Sequence, residues 1–103
     1  MAGPPIEDVR TWIQVPVTIM ENDQLQKVID AETLLQARAC TTGAELTPDL
    51  VQAIYRRVAR EVAARGVPLG ILGADSEYGP TRLSQFDAEI ARLEGPSRKI
   101  VFG

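Results

Sequence analysis

The side chains that could do chemistry in this chain are its carboxylates, its few lysines and tyrosines, and a single cysteine, Cys40, because the sequence contains no histidine. Histidine is the commonest general base and the commonest metal ligand, so its absence excludes His-based catalytic triads. A structural zinc site needs about four cysteine or histidine ligands, and only one is present. We therefore expect a protein that is not an enzyme and that uses no cofactor or metal.

Residues 66–73 (GVPLGILG) superficially resemble a glycine-rich phosphate loop. Such a loop works between a strand and the start of a helix, where backbone N–H groups point at the phosphate. Here the stretch follows a predicted helix, and no helix start comes directly after it. We instead predict a long loop whose apolar side chains pin it to the protein's own core or to a neighbouring subunit: Leu69, Ile71, Leu72 and Tyr78.

Glu32 lies in the middle of the apolar side of a predicted helix, where an unpaired carboxylate is costly to bury. It either reaches water at a helix edge or pairs with an arginine. Arg57 is the candidate partner within the chain, and an arginine of a neighbouring subunit is the other. Arg57 also has an alternative partner in Glu61, one helical turn further on.

Arg56, Arg60 and Arg65 on the third predicted helix could be interpreted as a DNA contact. No aromatic side chains are interleaved with them, and the chain carries 14 acidic against 11 basic residues, a net charge of −3. Phosphate binding tightens with each phosphate charge that basic residues neutralise. We therefore predict a solvated helix face, with ion pairing between subunits as the next interpretation.

Helices are the elements predicted to position these residues, because apolar side chains recur every three or four positions. Proline or glycine follows the end of each helix. The four predicted helices cover residues 6–14, 22–39, 48–65 and 85–94, the last one capped by Ser84. Val15 to Met20 is predicted to be an extended connector or short strand, and residues 66–82 the long Gly/Pro-rich loop.

Apolar stripes on these helices predict the core. On the second helix we expect Leu25, Val28, Ile29, Leu35 and Ala39 to share one side. We also expect the aromatic residues Trp12, Tyr55 and Phe86 to be core rather than site.

The predicted fold is all-α: a small bundle of three to four helices with a long Gly/Pro-rich loop and an extended C-terminal arm. At 103 residues the chain is one domain, divided into a helical part, 1–94, and an arm, 95–103. The 45% hydrophobic and 24% charged composition is typical of globular proteins. No apolar run approaches the roughly 20 residues of a membrane span, so we expect no membrane contact.

Several segments together carry a family resemblance. They are a short Trp-containing helix at 9–12 (VRTW), the second helix at 23–32 (DQLQKVIDAE) and, most specifically, residues 78–80 (YGP), 86–93 (FDAEIARL) and 95–103 (GPSRKIVFG). This pattern resembles the head-to-tail connector, or adaptor, proteins of long-tailed bacteriophages, in the version found in phages of actinobacteria. The resemblance covers nearly the full chain, and its motifs are packing and docking motifs.

The resemblance implies a structural virion protein, assembled in the host cytoplasm and located at the head–tail interface. Its subunits form a homo-oligomeric ring, a dodecamer in the family, between the capsid portal protein and a tail-side connector of the stopper or tail-terminator type. The ring extends the channel through which genomic DNA passes without sequence-specific binding. In relatives the C-terminal arm reaches the portal, which assigns portal docking to Arg98, Lys99, Ile100, Val101 and Phe102.

The apolar residues 100–102 fit that role on physical grounds, since burying three such side chains stabilises by several kcal/mol at about 25 cal/mol per Å². Their receptor is either another chain, for instance an exposed sheet edge, or the chain's own bundle. The rival interpretation is a small helical DNA-binding or regulatory protein, such as a transcription factor or antitoxin. That class needs a basic recognition helix and a tight helix-turn-helix joint, and residues 40–46 are a little long for the joint.

Overall fold

The computed structural model describes residues 3–43, 45–72 and 79–99, without the side chains of residues 72 and 79–82. It contains the helices α1 (Ile6–Ile13), α2 (Asn22–Ala39), α3 (Pro48–Ala64) and α4 (Gly79–Glu94), and short 3₁₀ turns at Gly70–Leu72 and Gly95–Ser97. Over these ranges there is no β-strand, and a single isolated bridge is the one β-type pairing. The predicted all-α bundle is confirmed.

Local chemistry sets the helix boundaries. The N-terminus of α2 carries a capping box, in which Glu21 and Gln24 exchange side-chain contacts with each other's backbone N–H groups. α3 begins at Pro48, whose missing N–H costs nothing in the first turn. α1 ends where Gln14 takes a left-handed conformation with φ 56°. These boundaries lie within one or two residues of the predicted ones.

Residues 15–20 form a turn, so the predicted extended connector is wrong. The Pro16 carbonyl accepts hydrogen bonds from the N–H groups of Ile19 (3.0 Å) and Met20 (3.2 Å), which closes a helical type of turn. Val15 and Met20 are buried at its two ends, while Val17 and Ile19 are about half exposed. Proline fixes its own φ near the helical value, and this favours the turn that follows it.

α4 begins at Gly79, five residues before the predicted cap at Ser84. Pro80 takes the second position of the helix, where no intrahelical N–H donor is required. Ser84 therefore lies inside the helix. The loop after α3 is correspondingly shorter than predicted and includes the 3₁₀ turn Gly70–Leu72; residues 73–78 lie outside the described residues.

α3 is the central helix and contacts each of the other three. The core where they meet consists of apolar side chains with little or no solvent contact: Val9, Ile13, Val15, Met20, Leu25, Val28, Ile29, Ile54, Val58, Ala59, Val62, Leu69 and Phe86. Trp12 stacks on Tyr55 with ring centroids 5.8 Å apart and lies 5.7 Å from Phe86. The predicted core role is confirmed for Phe86, while Trp12 and Tyr55 are partly buried and pack against the core.

The apolar side of α2 differs from the predicted stripe at Leu35, which is 48% exposed. Thr33 and Gln36 are buried instead. The face that packs on α3 is narrow, and residue 35 falls beyond its edge. Throughout the described part of the chain, no helix has both the length and the apolar character that a bilayer crossing requires.

Candidate functional site

A buried polar cluster surrounds Glu94, the last residue of α4, whose side chain has no solvent exposure. Arg57 of α3 donates from Nε and Nη2 to the two carboxylate oxygens, at 2.5 and 2.7 Å. Gln36 of α2 donates from Nε2 at 3.0 Å, and the Arg98 guanidinium lies 3.5 Å away. The cluster therefore ties α2, α3, α4 and the segment after α4 to one another.

The partners of Glu94 keep it ionised. Burial by itself raises the pKa of this carboxyl, but hydrogen bonds from Arg57 and Gln36 and the charges of Arg57 and Arg98 hold the pKa below its ordinary value. The hydrogen bond to Glu94 in turn raises the pKa of Arg57. Breaking one side of such a buried pair leaves an uncompensated charge, so this cluster acts as a clamp between helices.

The predicted pairing of Arg57 with Glu32 is not formed, because Glu94 occupies the guanidinium. Glu61, the alternative partner of Arg57, is bonded by Arg65 at 3.1 Å. Glu32 is nonetheless buried, with 5% exposure, and its Oε2 has no hydrogen-bond partner. Arg57 acts on it through charge alone. The alternative prediction, that Glu32 reaches water at a helix edge, is also wrong, because the residue is buried.

Sequence reasoning missed Glu94, although a signal was present. Glu94 follows Phe86 and Ile90 at intervals of four residues and so continues the buried face of α4. A carboxylate at that position needs a partner, but the partner lies 37 residues earlier in the chain. Helical spacing within one segment does not identify it.

The arginines of α3 pair with acids of the same chain. The predicted solvated face is wrong for Arg56, whose side chain is 15% exposed, whereas the side chains of Arg60 and Arg65 are 42% and 50% exposed. Arg56 forms a short hydrogen-bonded ion pair with Glu89 and lies over the Trp12 ring, 5.1 Å from its centroid. Arg60 pairs with Asp87 at 2.9 Å. Both acids belong to α4, so a row of ion pairs runs along the α3–α4 contact. A helix whose arginines are committed in this way fits the DNA-binding interpretation poorly.

The segment after α4 folds back onto the end of α2. An antiparallel bridge joins Cys40 and Arg98, and the Lys99 N–H donates to the Ala39 carbonyl at 3.0 Å. The backbones of Arg98 and Lys99, both assigned to a projecting arm, are thus fixed on their own chain, although their side chains are exposed. Residues 95–99 therefore belong to the folded body of the chain, and a projecting arm would consist of the residues after Lys99.

Residues 100–103 lie outside the described residues, and with them the assignments made for Ile100, Val101 and Phe102. Cys40 itself is fully buried. Burial, followed by the charge of Glu94, raises the pKa of its thiol. Cys40 is therefore a protonated thiol of low reactivity, as expected for a small residue at a helix end.

The loop residues pack on the chain's own core. Leu69 is 3% exposed and belongs to the core cluster, and Ile71 packs against that cluster. Between them, the Gly70 N–H donates to the Gln14 carbonyl at 3.2 Å, and a Cβ at position 70 would collide with Gln14. Of the two interpretations left open, contact with the own core holds for Leu69 and Ile71. The Leu72 side chain and Tyr78 lie outside the described residues.

Large apolar side chains also lie outside the core. Four of them are 48–52% exposed: Val17, Ile19, Leu34 and Leu35. Leu34 borders a shallow cavity of about 210 Å³ on α2, lined by Gly3, Asp30, Thr33, Leu34 and Ala37. Single exposed apolar residues are ordinary on protein surfaces. Two adjacent leucines in the middle of one helix are a more specific feature, since they offer apolar area on a rigid element.

Within the described ranges, no group of three or more cysteine, aspartate and glutamate side chains is arranged to hold a metal ion. No family model, curated protein or solved structure matches this chain.

Proposed function

We propose that this chain is a subunit of the head-to-tail adaptor ring of a long-tailed bacteriophage, placed between the capsid portal and a tail-side connector of the stopper or tail-terminator type. One observation carries the proposal: the order of motifs in the last quarter of the sequence. A helix at 86–93, a Gly-Pro break at 95–96, the basic pair Arg98-Lys99 and the apolar run 100–102 occur in the order that the family shows. The role is structural, in the virion.

The anchored segment 95–99 supports a docking role for the residues that follow it. Because Lys99 is held on α2 by a backbone hydrogen bond, the apolar run 100–102 starts from a fixed point. Three residues reach at most about 10 Å, so their receptor must lie beside the end of α2. A short segment with a fixed root loses less conformational entropy on binding than a free one.

The exposed leucines of α2 support self-association. A ring contact is heterologous: one face of a subunit meets a different face of the next, and rotation closes the ring. Leu34 and Leu35 present about half of their surface to solvent on a rigid helix. Burying that area against a neighbour is favourable at about 25 cal/mol per Å².

Charge supports a channel through which DNA passes without being held. The net charge is −3, and Arg56 and Arg60 are committed to α4. A protein that neutralises few phosphates binds DNA weakly and with little dependence on salt.

The test mixes the purified full chain with portal rings encoded in the same genome and images the complexes by electron microscopy. We expect a ring of added density on one face of the portal. A chain with Ile100→Ser, Val101→Ser and Phe102→Ser should bind at least tenfold more weakly. The matched control is Lys27→Ser, an exposed position in the first half of α2 and far from its end, which should bind like the unmodified chain.

Absence of binding by the full chain would contradict the adaptor role. If the triple variant binds the portal as well as the unmodified chain, the ring proposal stands, but residues 100–102 are not the docking segment. A gel shift on mixed-sequence duplex DNA at low salt, in place of portal binding, would favour the DNA-binding interpretation.

A further inference from the structure

Two buried acceptor oxygens on α2 have no donor. They are Oε2 of Glu32 and Oε1 of Gln36. Glu32 is 5% exposed and Gln36 is fully buried. The two residues are four positions apart on the same helix, which places their side chains next to each other on its buried face. A buried hydrogen-bond acceptor without a donor is unfavourable. A hydrogen atom carried by one of these two oxygens and donated to the other would satisfy both.

The orientation of the Gln36 amide is fixed by its other contacts. Its Nε2 donates to the Leu50 carbonyl at 2.9 Å and to the Glu94 carboxylate at 3.0 Å. Turning the amide over would set its oxygen against both of these acceptors. Oε1 therefore has to face away from Glu94 and accept a hydrogen from another group.

Glu32 supplies that hydrogen if it is protonated. We propose that Glu32 and Gln36 form a proton-binding site, in which the neutral carboxylic acid of Glu32 donates to Oε1 of Gln36. The bonds then continue from Glu32 to Gln36, from Gln36 to Glu94, and from Arg57 to Glu94. The two unpaired buried oxygens, Oε2 of Glu32 and Oε1 of Gln36, then become each other's partners.

The surroundings of Glu32 favour the neutral form. Burial raises the pKa of this carboxyl; the charges of Arg57 and Arg60 lower it, and those of Glu61 and Glu94 raise it, with a net shift upward. Arg57 cannot fully offset burial because Glu94 already neutralises it. The pKa values of Glu32 and Glu94 are thus shifted in opposite directions, because Arg57 is hydrogen-bonded to Glu94 and acts on Glu32 through its charge alone.

The sign of the effect on stability follows. Since the folded pKa of Glu32 lies above the unfolded one, its contribution is most favourable at low pH and is lost as the pH rises through the interval between the two values. The lowered pKa of Glu94 makes its contribution present above the ordinary glutamate range and lost as the pH falls through the folded value. Protonation of Glu32 therefore stabilises the same network that protonation of Glu94 would break.

The test is a carboxyl ¹³C NMR titration of the full chain, with Glu32 assigned from the signal lost in Glu32→Gln. We expect Glu32 to titrate above the ordinary glutamate range, and the Gln36 side-chain NH₂ signals to shift with the same midpoint. Titration of Glu32 within the ordinary glutamate range would overturn the proposal, and so would a Gln36 amide that does not respond. A bridging water beside an ionised Glu32 would give the first of these results.

Thermal unfolding provides a second readout. In Glu32→Gln the amide NH₂ can donate permanently to Gln36, so the midpoint at pH 8 should rise by about 4 °C, the shift typical of a modest stabilisation in a domain of this size. The dependence of the midpoint on pH should also flatten. Glu32→Ala, which leaves Gln36 without a donor, should not show this rise. A Glu32→Gln variant that is less stable at pH 8 would contradict the proposal.

Discussion

At the scale of single residues, Glu94 is the ionisable group on which the fold depends most clearly. Its carboxylate is shielded from solvent and accepts hydrogen bonds from Arg57 and Gln36. The contrasting case is Asp87, which pairs with Arg60 while 60% of its side chain is exposed. Surface pairs of that kind contribute little, because solvent screens them.

We therefore predict that Glu94→Gln lowers the free energy of unfolding by about 3 kcal/mol, since it leaves a buried arginine without its counter-charge. Asp87→Asn, the matched control on the same helix, should change it by less than about 1 kcal/mol. Urea denaturation followed by circular dichroism measures both. Equal effects of the two substitutions would show that the Glu94 cluster does not clamp the helices.

At the scale of elements, α3 contacts each of the other three helices, and α1 and the turn after α3 are held in place by individual contacts. Trp12 joins α1 to α3 and α4 through Tyr55, Arg56 and Phe86. The turn Gly70–Leu72 is fastened to the end of α1 by the bond from Gly70 to Gln14. That close approach leaves no room for a side chain at position 70.

Because the turn at Gly70 packs against α1, alanine substitutions at Gly70 and Gly95 should differ in their effect on stability. Gly70→Ala should destabilise the protein by about 1–3 kcal/mol, because the added methyl group forces the turn away from α1. Gly95→Ala is the control, since a Cβ there meets no atom within 4 Å, and its effect should be within about 0.5 kcal/mol. Thermal unfolding of the two variants checks this. A tolerated alanine at position 70 would mean that the turn is not held against α1.

At the scale of the whole molecule, the core and the exposed apolar residues have separate roles. The core side chains close one bundle, whereas Leu34 and Leu35 lie outside that core with about half of their surface exposed. In the proposed ring their area is buried by a neighbouring subunit. Substitutions of core residues should then lower the stability of the fold, whereas substitutions of the exposed leucines should weaken assembly.

Leu35→Gln should accordingly change the free energy of unfolding by no more than about 0.5 kcal/mol, yet reduce the amount of chain that joins the portal-bound ring. Ala91→Gln, exposed on α4 and away from these leucines, is the control and should assemble normally. Sedimentation of portal complexes measures incorporation. Normal assembly of Leu35→Gln would place the ring contact elsewhere on the subunit.

The sequence alone determined the helical class and the extent of α1, α2 and α3. Two local signals carry this information: the helical spacing of apolar residues, and the start and stop signals given by residues such as Pro16, Pro48 and Gly66. Both act over only one or two helical turns. The aromatic core residues were predictable for the same reason. The start of α4 was not, because Pro80 is compatible with both a loop and a first helical turn.

Tertiary structure alone decided which charged group meets which. Arg57 was the candidate partner of Glu32 within the chain because it lies at the edge of the apolar stripe of α3, but the geometry of α3 against α4 brings Glu94 to the guanidinium instead. Packing likewise left Leu35 exposed and fixed Lys99 on Ala39. Helical periodicity specifies the face on which a side chain lies, whereas its partner depends on how separate helices cross, a property that no single segment contains.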